Sequence, residues 1–153
     1  MEIRRWVKLR CNIGSMFSAI QHQEQRKKPR YYGSAHENLS VRVKRTRGIL
    51  RSVCRPLTAT CIDFNCYGMS YESITQQRVG EQVLLDLSLG DKCVTNVVAL
   101  VCNARPSKFG RYRHGVLFDF RANEHMRTKD VESAIECIEA DLRDTLSKNA
   151  VRQ

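Results

Sequence analysis

The sequence predicts a mainly-β fold, a small antiparallel barrel or sandwich, followed by one C-terminal amphipathic α-helix. Three observations carry that reading. From residue 39 onward, apolar positions recur with a period of two in six short segments. Breaks rich in Gly, Pro, Asn and Asp separate these segments, and after Thr128 the period becomes helical. The composition permits a core: 153 residues, 42% hydrophobic and 27% charged, describe about one domain that is neither disordered nor collagen-like.

Taken in order, residues 1–25 lack a clear period and read as an N-terminal extension, with a short helix expected around 14–24. Residues 26–37 are polar and carry Pro29 and Gly33, so they read as an ordered loop or linker. Leu39, Val41 and Val43 then alternate with Ser40, Arg42 and Lys44, as in a half-buried strand. The stretch 58–64 is rich in β-branched residues, and 68–73 follows after a break at 65–67. In 82–89, Val83, Leu85, Leu87 and Leu89 share one face. A turn at Gly90 and Asp91 leads into the strand expected over 93–102, a connection covers 106–110, and 112–120 makes the sixth strand.

In the last segment Val131, Ala134, Ile135, Ile138, Leu142 and Leu146 fall at helical spacing, with Glu132, Glu136, Glu139 and Asp141 assigned to the opposite side. Thr128 is the expected N-cap and Asp130 suits the first turn. The apolar stripe is expected to pack on the β-structure. The chain thus divides into an extension (1–25), a β-domain with its N-terminal loop (26–127), and a helix with a tail (128–153).

The net charge of +10 is unevenly placed. Residues 1–60 hold 14 Lys and Arg against three acids, whereas 61–153 hold 12 against 13. The excess favours an anionic partner without naming it. No run approaches the ~18 apolar residues of a membrane span. The first twenty residues make a poor secretory signal, so a cytoplasmic protein is expected. Seven cysteines, an odd number without a C-x-x-C, read as a reduced set behaving as small hydrophobes. Four scattered histidines suggest no metal cluster, and no phosphate loop, G-x-S-x-G elbow or H-E-x-x-H is present, so no enzyme and no cofactor are expected.

Two short segments carry the chemistry. Arg26, Lys27, Lys28, Pro29 and Arg30 set two arginines four apart just before the β-domain. Asp63, Phe64, Asn65, Cys66, Tyr67 and Gly68 sit at a junction between strands. Guanidinium groups bind phosphate bidentately, pair with the O6/N7 edge of guanine and stack on bases. Pro29 keeps the preceding backbone extended, so the arginines can reach over a ligand like a strap. A carboxylate at Asp63 can accept from guanine N1–H and the 2-amino group. Asn65 offers a donor and an acceptor, and Gly68 permits a positive φ and close backbone approach.

These segments resemble the R-x-x-x-R and [D/N]-x-S-x-x-G motifs of the PilZ domain family, receptors for the bacterial second messenger cyclic di-GMP. Arg26 and Arg30 match the first motif, and Asp63 and Gly68 match the ends of the second. The hydrophobic strand after Gly68 and the Gly115, Val116, Leu117, Phe118 run agree with the family, over roughly residues 24–120. The resemblance implies a six-stranded antiparallel β-barrel closed by a C-terminal helix. It also implies a ligand site for cyclic di-GMP made of Arg26, Arg30, Asp63, Asn65 and Gly68. One position departs: Asn65 stands where the family has serine. The residue preceding the arginine motif, which in the family influences nucleotide stoichiometry, is Gln25.

Arg111 and Arg113, and likewise Arg42, Lys44, Arg45 and Arg47, are read as solvated positions, and Tyr31 and Tyr32 as residues packing on the barrel. The function expected is that of a non-enzymatic cyclic di-GMP receptor whose N-terminal loop responds to nucleotide and signals to an effector protein. The competing readings are a nucleotide-independent interaction module and a small-barrel nucleic-acid binder. The second is disfavoured because aromatic residues are only 7% and no strand interleaves them with basic ones, so no DNA partner is expected.

Overall fold

The computed structural model describes residues 31–32, 38–46 and 55–151. Seven strands form one sheet: β1 (Tyr31–Tyr32), β2 (Ser40–Arg45), β3 (Leu57–Asn65), β4 (Gly68–Ser73), β5 (Gln82–Leu89), β6 (Lys92–Pro106) and β7 (Tyr112–Phe118). Their order is β1-β3-β2-β5-β6-β7-β4, and β3 also pairs with β4, so six strands close into an antiparallel barrel. Closure removes the free edges that an open sheet would expose. The expected segment 14–24, both motif arginines, and Cys11 and Cys54 lie outside the described residues.

Alternation fills the interior. Val41, Val43, Val83, Leu85, Leu87, Val97, Ala99, Val101 and Val116 are all essentially inaccessible. Register explains why: Val41 stands opposite Leu87 and Ala59, and Leu85 opposite Val43 and Val97, so inward side chains meet across every junction. Phe64 and Phe118 add a tilted ring pair with centroids 5.8 Å apart. Cys61 and Cys66 are buried, as small hydrophobes are, but Cys93 and Cys137 are exposed, because they fall outside the inward register and the helix stripe.

The helix α1 (Lys129–Val151) follows a 3-10 turn, His125–Arg127. It buries Val131, Ile135, Ile138 and Leu142, while Ala134 and Leu146 are partly buried against the core. Met126 in the turn is fully buried, and its sulfur accepts from Val98 N at 3.2 Å. The apolar stripe thus packs on the barrel, as expected. Thr128 is extended at the helix start, but its hydroxyl donates back to His125 O at 2.8 Å instead of capping a helical N–H. Glu139 corrects the assignment of acids to the outer side: it is 6% exposed, because the buried stripe is wide enough to include the position beside Ile138.

Three other boundaries differ from the sequence reading. Residues 31–32 form a strand within a segment read as loop. Strand β6 runs to Pro106 because a register shift between Val101 and Asn103 interrupts the alternation without ending the pairing. Strand β7 ends at Phe118, two residues short of the expected 120, with one further bond in the β6 register from Asp119 N to Val98 O at 2.8 Å.

Candidate functional site

A second register shift decides where the acidic motif points. On β3, Cys61 pairs with Tyr71 and Asp63 with Ser70, leaving Ile62 as the extra residue of a β-bulge. Unbroken alternation from Ala59 and Cys61 would aim residue 63 into the barrel. The bulge reverses the parity, so that Phe64 enters the core opposite Met69, each no more than 1% exposed. Asp63, Asn65, Gly68 and Ser70 consequently share the outer wall at the β3–β4 hairpin.

Asp63 remains 2% exposed on that wall. Its Oδ2 accepts a short hydrogen bond from Ser70 Oγ and lies 3.5 Å from the Arg113 guanidinium. The Glu72–Arg113 pairing of β4 with β7 sets Arg113 on the same outer face, half-buried. The carboxylate also combines with burial, the larger cause, to push the neighbouring Cys61 thiol far above its ordinary range.

Asn65 uses its side-chain oxygen locally. Oδ1 accepts from Tyr67 N at 2.9 Å and from Gly68 N at 3.0 Å, an Asx-type turn that closes the hairpin. Any ligand contact from Asn65 therefore belongs to its amide NH2. Gly68 corrects one half of its rationale: it is not among the positive-φ glycines, which are Gly80, Gly90 and Gly110. Its requirement is close approach. A Cβ there would run into the Val116 carbonyl oxygen and lie 3.2 Å from Leu117 Cα, so the hairpin packs on β7 only with glycine.

Strand β1 borders this face. Tyr31 pairs with Phe64 and Tyr32 with Asp63, along the β3 edge that β2 occupies further back. The structure therefore brings together Asp63, Asn65 and Gly68, and adds Ser70 and Arg113. Arg26 and Arg30, the remaining residues of the expected set, lie outside the described residues.

Two open clefts lie elsewhere. One of about 620 Å³ is lined by Arg45, Gln76, Arg78, Val79, Gly80 and Glu81. Another, of about 450 Å³, includes Asn96, Asn123 and His125. Neither of these two clefts includes a motif residue. Of the basic residues read as solvated, Arg42 is exposed and half-exposed Lys44 pairs with Asp86 at 2.7 Å. Arg45, however, buries its Nε, lies 3.8 Å from Glu81 and donates to Gln76 O at 2.5 Å, and Arg47 lies outside the described residues. Among the described residues, no group of three His, Cys, Asp or Glu is placed to hold a metal ion, and no helix is long and apolar enough to cross a membrane.

Comparison with solved structures gives the fold a name. The chain superposes on the PilZ domain with c-di-GMP of YcgR from Escherichia coli with a TM-score of 0.60 and 15% identity, covering 83% of this chain and 98% of that one. It matches the c-di-GMP complex of MrkH from K. pneumonia with a TM-score of 0.59 and 16% identity, covering 80% of this chain and 54% of MrkH. A longer YcgR chain in complex with c-di-GMP gives 0.57 and 14%, covering 82% and 50%. The chain thus spans about half of those two proteins and nearly all of the isolated domain. No protein-family model and no curated protein matches it. The chain has the PilZ fold, a closed six-stranded barrel with a C-terminal helix.

Proposed function

We propose that this PilZ-fold barrel is a non-enzymatic receptor for cyclic di-GMP, held between Arg26 and Arg30 on one side and the outer wall of Asp63, Asn65 and Gly68 on the other. The observation that supports it most is the shared facing of those three residues beside β1. Tyr31 directly follows Arg30 and is paired with Phe64, so one peptide unit, about 3.8 Å between Cα atoms, tethers the second arginine to this wall. The wall offers a carboxylate for a guanine donor edge and the Asn65 amide for an acceptor. A strap of two arginines supplies what it lacks, cations for two phosphates and planar surfaces for bases. Arg113, already drawn to Asp63, adds a donor at the same place.

In this reading nucleotide draws the N-terminal loop onto the barrel, and the altered surface is what an effector protein reads. Asn65 replaces the family's serine without removing the polar contact, because its oxygen holds the turn and its NH2 serves the ligand.

Calorimetric titration with cyclic di-GMP, with GTP and a short single-stranded DNA as competitors at two salt concentrations, tests the proposal. Saturable binding unmoved by either competitor is expected, and Arg30→Ala should abolish it with thermal unfolding unchanged. Wild-type affinity in Arg30→Ala, or binding that DNA displaces with a steep salt dependence, overturns it.

A further inference from the structure

We propose that the tip of the β6–β7 hairpin docks on the headgroup layer of an anionic lipid bilayer, with Phe109 entering the apolar boundary. Phe109 is 95% exposed, against 67% for Ile74, 63% for Val79 and 43% for Leu100, the other exposed large apolar side chains on the described surface. The turn itself gives no reason for a phenylalanine. Phe109 has φ 56 and ψ 38, in the left-handed region where a Cβ crowds the adjoining carbonyl, and Gly110 follows at φ 69. Glycine or asparagine would suit that backbone better. Two backbone bonds, Ser107 N to Arg111 O at 2.8 Å and Arg111 N to Lys108 O at 3.2 Å, close the loop and hold the ring away from the barrel.

The surroundings select the partner. Arg105 and Lys108 are exposed, Arg111 is half-exposed, and no acidic residue occurs from 103 to 118. Glu72, the carboxylate that reaches the hairpin, accepts from Ser107 Oγ at 2.5 Å. The register Ser73–Tyr112–Pro106 sets Ile74, at the start of the β4–β5 loop, at this same end of the barrel. An aromatic ring at a convex tip, ringed by cations and seconded by an aliphatic residue, has the chemistry of the interfacial zone of an anionic membrane. Single-stranded nucleic acid needs a groove with successive stacking rings, which one protruding phenylalanine does not make. Of the motif wall, Gly68 pairs with Leu117 toward the other end of β7 and only Arg113 reaches Asp63 from the hairpin side, so no residue of the tip, 105 to 111, takes part in the nucleotide reading.

The full chain is sedimented with phosphatidylcholine vesicles prepared with and without phosphatidylglycerol. Because residues 1–60 are themselves strongly basic, the comparison of variants carries the result. The wild type should bind the anionic vesicles, Phe109→Ala should lower the partition coefficient at least about tenfold, and Phe109→Leu should restore most of it. Both substitutions fall on an exposed side chain, so folding is preserved. Equal partitioning of wild type and Phe109→Ala overturns the proposal, as does failure of the wild type to bind anionic vesicles. Loss of oligonucleotide binding in Phe109→Ala with vesicle binding intact overturns it in favour of nucleic acid.

Discussion

Ser70 and Tyr71 are consecutive on β4, and Arg113 and His114 are consecutive on β7, yet each pair divides between the two faces of the barrel wall. Outside, Ser70 and Arg113 converge on the Asp63 carboxylate. Inside, Tyr71 and His114 stack with ring centroids 5.2 Å apart, the tyrosine hydroxyl donates to Gln77 Oε1, and Gln77 N donates to His114 Nε2 at 3.0 Å. The outer cluster is ionic and includes a half-exposed arginine; the inner one is uncharged, and all three of its residues are fully inaccessible. Among the described residues Gln77 Nε2 and His114 Nδ1 have no hydrogen-bond partner. The contrast separates a place where polarity is available for the proposed recognition from one where it is tolerated because bulk and hydrogen bonds compensate for it.

The sharpest way to break this division is Tyr71→Ala. It removes a fully buried ring and should cost about 3–5 kcal/mol in urea unfolding, while the folded fraction still binds cyclic di-GMP with wild-type affinity. Altered affinity in that folded fraction would mean that the inner cluster shapes the outer one. Next in size is Asp63→Asn. Losing the charge weakens its bonds to Ser70 and Arg113 and should lower stability by only about 1–2 kcal/mol, with nucleotide affinity reduced at least about tenfold. A purely structural Asp63 would reverse those proportions.

The smallest effect concerns pH. Burial, above all, holds His114 below its ordinary value of 6.5, with Glu81 opposing and Arg45 assisting. The unfolded chain therefore takes up a proton that the folded chain excludes. Stability from this site is complete above 6.5 and declines as the pH falls below it toward the folded value. Comparing unfolding free energies of the wild type and His114→Gln across that range should show a flatter acid slope in the variant. Parallel slopes would mean that the inner cluster is not sealed.

The barrel was legible because inward apolar residues on β2 and β5 repeat without interruption, and period two is strong over such lengths. The helix was legible for the corresponding reason at period 3.6. Strand β1 was not, since two residues cannot display a period. The end of β6 was hidden by the shift at Cys102, which breaks the pattern that the eye follows. At the candidate site, the types and spacing of Asp63, Asn65 and Gly68 were readable. Their common facing was not, because it depends on the bulge at Ile62. Ser70 escaped notice and Arg113 was read as solvated for a related reason: they reach Asp63 through strand pairing, which no local spacing reports. Arg113 was visible as a cation, but only the β4–β7 register distinguishes it from its solvated neighbours.

The bulge at Ile62 also determines which inherited changes this wall can absorb. A substitution at 62 alters one side chain at the barrel surface and leaves the count of residues along β3 intact. Loss of that one residue would restore even pleating and still leave Asp63, now next to inward Cys61, outward opposite Ser70 and Phe64 inward opposite Met69. Even pleating through Ile62 with all residues kept would instead turn the carboxylate toward the greasy interior and Phe64 toward water, with every letter of the acidic motif still in place. A descendant that shed the codon for residue 62 would keep the proposed wall, whereas one that ironed out the bulge would lose it with the motif intact, which makes the local pleat as much a part of the proposed recognition as the residues that spell it.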